Sequence, residues 1–256
     1  MAVLIVCSSV FITVSLAGTV GAANTSAPVF NSGNAPSFAE GSTGTVIDVE
    51  ATDGDGGSND SGITYSLVGG TDQSEFSINS TNGELTFDSA PDYENPSDSD
   101  TNNDYVVDVQ ADNGSATTTQ TITVTVTDVD EAPTAPDDSS QSTDEDTALS
   151  ISDGNSNDLK ELASDPDAGD TLSFVTIDGQ TFSDGSTVTL SSGATVTVNS
   201  DGSWTYDPNS QYEYLTSGQS VTDSFTYTIE DGDGDSDSGT ITVTVTGVDD
   251  TTQFDF

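Results

Sequence analysis

Residues 122–130 read ITVTVTDVD and residues 241–249 read ITVTVTGVD, a pair that differs only at Asp128 against Gly247. Residues 121–127 alternate strictly between threonine and an apolar β-branched side chain. A period of two with β-branched residues means a strand with one buried face, and no helical stripe can be drawn through it. Upstream, Tyr105-Val106-Val107-Asp108-Val109 carries the same alternation, and the run from Tyr105 to Asp112 ends in an acidic turn. The run from Phe225 to Asp231 ends in the same way. One hairpin with an acidic exit therefore closes each of two domain-sized repeats.

Further outward, Asn82-Gly83 separates Phe76-Ser77-Ile78 from Leu85-Thr86-Phe87, and Asp201-Gly202 separates Val196-Thr197-Val198 from Trp204-Thr205-Tyr206. Asn-Gly and Asp-Gly between alternating runs are hairpin signatures. Helix signals are almost absent. Many short strands with regular turns predict an all-β fold of two tandem antiparallel β-sandwich modules. The first module is expected over 27–131 and the second over 139–250. Ala132-Pro133-Thr134-Ala135-Pro136 opens a short, stiff Pro/Asp linker over 132–138.

Charge narrows the function. The 256 residues hold 45 acidic side chains and one basic one, Lys160, for a formal net of −44. Self-repulsion on that scale opposes the compact state unless cations offset it. Nucleic acid is excluded as a partner, because phosphate binding needs clustered Lys or Arg. Two readings of the acids stay open and can coexist: calcium ligands, or the solvated surface of a salt-adapted protein. Catalysis has little to work with, since there is no His, one Lys, and a single cysteine, Cys7. Ser–His and Cys–His nucleophilic sites are thereby excluded. Carboxylate pairs within reach are expected by chance among so many acids, so none is read as a glycosidase pair. The chain is expected not to be an enzyme.

No charged side chain occurs before Glu40. The apolar stretch Ala2–Ala23 ends in the small residues Val20-Gly21-Ala22-Ala23, so 1–23 reads as a secretory signal peptide or a membrane anchor. A membrane contact is expected only through this segment, and the acidic part is expected outside the cell, secreted or at the surface. Cys7 falls in this stretch, so the exported part has no disulfide framework. Metal is the natural substitute for a staple.

In the first module, Ala51-Thr52-Asp53-Gly54-Asp55 is followed by Asn59, Ile63–Leu67, Asp92-Tyr93-Glu94, Tyr105–Asp112 and Asp128-Val129-Asp130-Glu131-Ala132-Pro133. Calcium takes six to eight oxygen ligands, several of them carboxylates, and Asp-x-Asp on a loop supplies two together. In order and spacing these pieces resemble a cadherin repeat over almost the whole module. The resemblance implies a cadherin/immunoglobulin-like Greek-key sandwich with calcium ions at module junctions. It also implies a ligand set of Glu40, Asp92, Glu94, Asp128 and Asp130 from module one, and Asp165 and Asp167 from module two, with Asp170 beside them. Asp53 and Asp55 would face a junction preceding module one. The family's usual exit motif carries Asn where this chain has Val129, and Asp-Asn where it has Asp130-Glu131.

Module two resembles a VCBS repeat of prokaryotic surface proteins. The resemblance rests on Leu162–Asp170, on Asn199–Pro208, on Asp223–Gly232 and on the final ITVTVT strand. Trp204, Tyr206, Phe225 and Tyr227 are expected to pack in the sandwich rather than to form a sugar platform. The run Asp231-Gly232-Asp233-Gly234-Asp235-Ser236-Asp237 is expected as a solvated hairpin tip. Local calcium binding there is the alternative, although the run lacks the closing Glu and flanking helices of an EF-hand. Together the readings predict a calcium-dependent structural or adhesive stalk, with homophilic partners or cell-surface protein or glycan ligands. The competing expectation is a carbohydrate- or protein-binding surface module, and a third is a salt-adapted fragment of a larger surface protein with few calcium sites.

Overall fold

The structure is a computed structural model that describes residues 26–249. The segment 1–23, with Cys7, and the tail from Asp250 lie outside the described residues. The chain divides after Thr127 into two units.

The first unit contains β1 (Val29–Phe30), β2 (Ser37–Ala39), β3 (Thr45–Asp48), β4 (Ala51–Thr52), β5 (Thr64–Gly69), β6 (Phe76–Ile78), β7 (Glu84–Phe87), β8 (Asp104–Asp112) and β9 (Thr117–Thr127). One sheet runs β2-β9-β8-β5 and the other β3-β7-β6, with β1 and β4 as a separate pair. The expected alternation is realised residue by residue. Tyr105 faces Val124 and Val107 faces Ile122 across β8 and β9, and all four are fully buried. Each such side chain contributes about 1.5–3 kcal/mol by leaving water. Phe87 of the second sheet meets Tyr105 of the first edge-on, with ring centroids 5.1 Å apart. That contact closes the two sheets on one core. The β6–β7 turn holds Gly83 at φ +75, where a side chain would collide with the Val49 carbonyl oxygen.

The second unit contains β10 (Asp138–Asp144), β11 (Leu149–Ile151), α1 (Leu159–Leu162), β12 (Ser173–Ile177), β13 (Gln180–Thr181), β14 (Thr187–Thr189), β15 (Thr195–Val198), β16 (Trp204–Asp207), β17 (Ser220–Glu230) and β18 (Ser236–Thr246). Its sheets run β10-β18-β17-β12-β13 and β11-β16-β15-β14. The repeat extends to topology: β2 pairs parallel with β9, and β10 pairs parallel with β18.

Trp204, Tyr206, Phe225 and Tyr227 all point inward and are at most 1% exposed. Trp204 and Phe225, from opposite sheets, meet with centroids 5.3 Å apart. Their neighbours' polar tips are satisfied, as buried aromatics require. Tyr206 and Tyr212 both donate to Asp223 Oδ2 at 2.9 and 2.7 Å, and Tyr227 Oη donates to the Pro136 carbonyl at 2.8 Å. These aromatics therefore form no exposed platform.

The stretch expected as a linker is fastened to the second unit. Thr134 and Ser164 exchange backbone hydrogen bonds of 2.7 and 3.1 Å. The Ala135 amide donates to Asp237 Oδ2 at 2.9 Å, and β10 begins at Asp138.

Candidate metal centre

Three segments of the second unit bring aspartates together: residues 128–131 entering it, the loop 165–170 after α1, and the tip 231–235 between β17 and β18. The Thr134–Ser164 pairing fixes the first two relative to each other. Asp165 Oδ1 accepts the Asp167 amide at 2.9 Å, and Asp167 Oδ2 accepts the Glu131 amide at 2.8 Å. At the tip, Asp231 Oδ1 accepts the amides of Asp233, Gly234 and Asp235 at 3.0, 2.7 and 2.9 Å. The turn is wrapped around one carboxylate oxygen, which leaves the other free to face its neighbours.

Asp130 is the meeting point. Its carboxylate forms one group with Asp231 and Asp235 and a second with Asp167 and Asp170, the ligand atoms of each group lying within 4.8 Å of one another. A cavity of about 320 Å³ opens among Asp128, Asp130, Asp167, Ala168, Asp170 and Asp233. Desolvation, then the charges of Asp233, Asp231, Asp235 and Asp167, push the Asp130 carboxyl up to about 6. Asp170 is raised by desolvation and by the same neighbourhood of charges.

The residues fit calcium. Asp165 Oδ2 and Asp231 Oδ2 are buried without any hydrogen-bond donor, and the whole chain offers one basic side chain to neutralise them. A buried carboxylate oxygen needs a donor or a cation. A set of carboxylates from separate loops suits a hard cation that takes six to eight oxygens in flexible geometry.

In the first unit, Glu40 is 6% exposed. Its Oε2 accepts the Tyr93 amide at 2.6 Å, and its own amide donates to the Thr127 carbonyl at 3.1 Å. A Glu94 oxygen lies within 4.8 Å of it. Asp92 Oδ1 is turned to the Asn95 amide at 2.8 Å. Asp53 Oδ1 accepts from the Asn113 side-chain amide at 3.2 Å, and Asp55 Oδ1 accepts from the Ser26 hydroxyl at 2.6 Å.

Of the residues named from sequence, Asp130 and Asp167 share one ligand group, Asp165 bonds Asp167, and Asp128 lines the same cavity. Glu40 and Glu94 share another. Asp231 and Asp235 were not in the set. The reading of 231–237 as a solvated tip holds for Asp233 and Asp235, which are exposed, and fails for Asp231, which is 5% exposed. The available signal was the repeat itself, which places an acid at the end of β8 and again just beyond β17.

Residues 36–157 match the cadherin domain model, and residues 130–247 match the bacterial cadherin-like domain model. The crystal structure of human protocadherin-24 EC1-2 aligns at a TM-score of 0.51 and 18% identity, over 88% of this chain and 99% of that one. The human desmocollin-1 ectodomain aligns at 0.51 and 18%, over 88% of this chain and 41% of that one. At such identity these likenesses show the fold alone. The chain spans 50% of the Drosophila N-cadherin EC1-4 structure, at a TM-score of 0.48 and 22% identity. Halomucin of Haloquadratum walsbyi is 40% identical over 73 residues, which are 28% of this chain and 1% of halomucin. Cadherin domains are structural modules rather than catalysts. Two matches that overlap at 130–157 and together run from 36 to 247 leave one conclusion: the chain carries two cadherin domains in tandem, the second of the bacterial cadherin-like type.

Proposed function

We propose that this chain is a calcium-dependent extracellular stalk, in which calcium taken up by the aspartates at the entry of the second domain stiffens the tandem. The observation that carries this reading is the pair of buried, donorless oxygens on Asp165 and Asp231 in a chain with one basic side chain. Bound calcium supplies positive charge that converts mutual repulsion into a cross-link. The chain's own residues do the rest: the Asp231 turn and the Thr134–Ser164 pairing hold the carboxylates in place before any ion arrives. The wider set implied by the family, Glu40, Asp92 and Glu94 with Asp128, Asp130, Asp165 and Asp167, belongs to the same proposal, as do Asp53 and Asp55 toward a preceding module. Affinities of roughly 10⁻⁴–10⁻³ M suffice for extracellular modules. Adhesion to like chains or to surface proteins or glycans, the VCBS-type character of the second domain, and a secreted or surface location are its finer parts.

The halomucin likeness and the acid count favour a second reading, a salt-adapted surface with few true sites. Thermal unfolding of the full chain in EGTA, in millimolar calcium and in molar potassium chloride separates the two. Calcium is expected to raise the second domain's melting temperature by on the order of 10 °C. The rise should vanish in the double variant Asp165→Asn, Asp167→Asn. Equal stabilisation by potassium chloride, with nothing added by calcium, would establish the salt-adapted surface instead.

A further inference from the structure

The stretch Asp98-Ser99-Asp100-Thr101-Asn102-Asn103, between β7 and β8 of the first unit, places acids and an amide at positions one, three and five. Calcium loops draw ligands from those positions and turn sharply at the sixth. Here the sixth residue, Asn103, has φ +66, and Thr101 has φ +55. Asparagine tolerates that left-handed conformation where most side chains do not.

Burial supplies the independent reason to expect a ligand. Asp98 is only 4% exposed. Its Oδ2 accepts the Asn102 amide at 2.9 Å, while its Oδ1 is buried with no hydrogen-bond donor. Asn103 Oδ1, in the same loop, is a second buried oxygen without a donor. Asp72 shows what a satisfied acid looks like nearby. It is equally buried, yet it receives the Ser99 and Val106 amides at 2.8 Å each and the Thr71 hydroxyl at 2.9 Å. These donors outweigh its desolvation and hold its carboxyl below the ordinary value. Asp98 has no such set, and Asn102 ties it to a second acid: the Asn102 backbone amide donates to Asp98 Oδ2 and its side-chain amide donates to Asp100 Oδ2 at 3.1 Å. The chain's one basic side chain, Lys160, belongs to the other unit, so no cation of this unit neutralises the pair.

We propose that the loop 98–103 is a divalent-cation site internal to the first domain, with Asp98 and Asp100 as carboxylate ligands and Asn102 and Asn103 supplying amide oxygens. It uses none of the residues of the second domain's cluster, and it stands or falls separately from the stalk reading.

The test is equilibrium dialysis of radioactive calcium against the full chain, in the Asp165→Asn, Asp167→Asn background and with Asp100→Asn added. Asp100 is exposed, so its replacement leaves the fold intact, which the amide NMR spectrum verifies. Calcium binding in the background is expected to lose one equivalent, or to weaken at least tenfold, on adding Asp100→Asn. The Ser99, Asn102 and Asp104 amide resonances should shift with calcium before that change and not after it. Unchanged binding, or resonances that respond equally to molar potassium and not selectively to millimolar calcium, would overturn the site and leave Asp98 hydrated by water.

Discussion

Each domain ends its penultimate strand in an acidic turn, and the two turns solve the same electrostatic problem in opposite ways. In the first domain the turn is Asp112-Asn113-Gly114. The Asn113 side-chain amide donates to the Ser26 carbonyl at 2.8 Å and to Asp53 Oδ1 at 3.2 Å. In the second domain the equivalent turn is Asp231-Gly232-Asp233, with no amide side chain in it. Asp231 and Asp235 face Asp130, and Asp231 Oδ2 is buried without a donor. A neutral donor quiets the Asp-x-Asp loop of the first domain. The second domain has only carboxylate side chains at that place, and under the proposed function calcium compensates them.

The sharpest way to break this contrast is Asp231→Asn. The side-chain oxygen that accepts three turn amides is retained, while the buried orphan becomes a donor toward Asp130 or Asp235. In EGTA the variant should be more stable than the parent by about 1–2 kcal/mol, since a repulsion is replaced by a charge-assisted hydrogen bond. In saturating calcium the order should invert, with calcium affinity down at least tenfold. Paired melts with and without calcium read both signs in one experiment. A variant less stable in both conditions would show that Asp231 serves only the turn.

The strands and hairpins were legible because their signals are local. Alternation in 121–127 and 241–246 fixes which side faces inward, and Gly83 and Gly202 sit where the turns need them. Asp165 and Asp167 were legible as an Asp-Pro-Asp loop. Asp231 was not. Its run of alternating Asp and Gly reads as solvated, and nothing local announces that the turn wraps around the Asp231 carboxylate or that Asp130, a hundred positions earlier in the chain, comes within ligand distance of it. Asp98 escaped for a similar reason: nothing in the polar run Asp98–Asp104 announces that one acid is turned under Asn102 into the protein.

A second way to sharpen the comparison is pH. The Asp130 carboxyl is raised to about 6 by desolvation and by the surrounding aspartates, against about 3.9 in an unfolded chain. The folded state thus holds this proton more tightly than the unfolded one. Its stabilising contribution is complete below about pH 4 and is lost as pH rises through about 6. Without calcium, the second domain's melting temperature should fall across that window. Calcium competes with the same proton, so its affinity should rise over the same range. Isothermal titration calorimetry at pH 5 and 7, with the protons released counted from buffers of different ionisation enthalpy, checks the second half.

The smallest expected effect comes from making the first domain's turn resemble the second's. Asn113→Asp keeps the oxygen that accepts the Ser115 and Ala116 amides at 3.1 and 2.9 Å. It removes the donor to Asp53 and to the Ser26 carbonyl, and it sets a new negative charge beside them. In EGTA the first domain should lose about 1 kcal/mol, the scale of one net hydrogen bond with a modest repulsion added. Millimolar calcium should restore most of that loss, because the altered turn now faces the Asp53-x-Asp55 loop with carboxylate instead of amide, as the Asp231 turn faces Asp130. If calcium restores nothing, opposed carboxylates alone do not make a site. The second domain's cluster would then owe its fitness for calcium to the wrapped turn that buries Asp231.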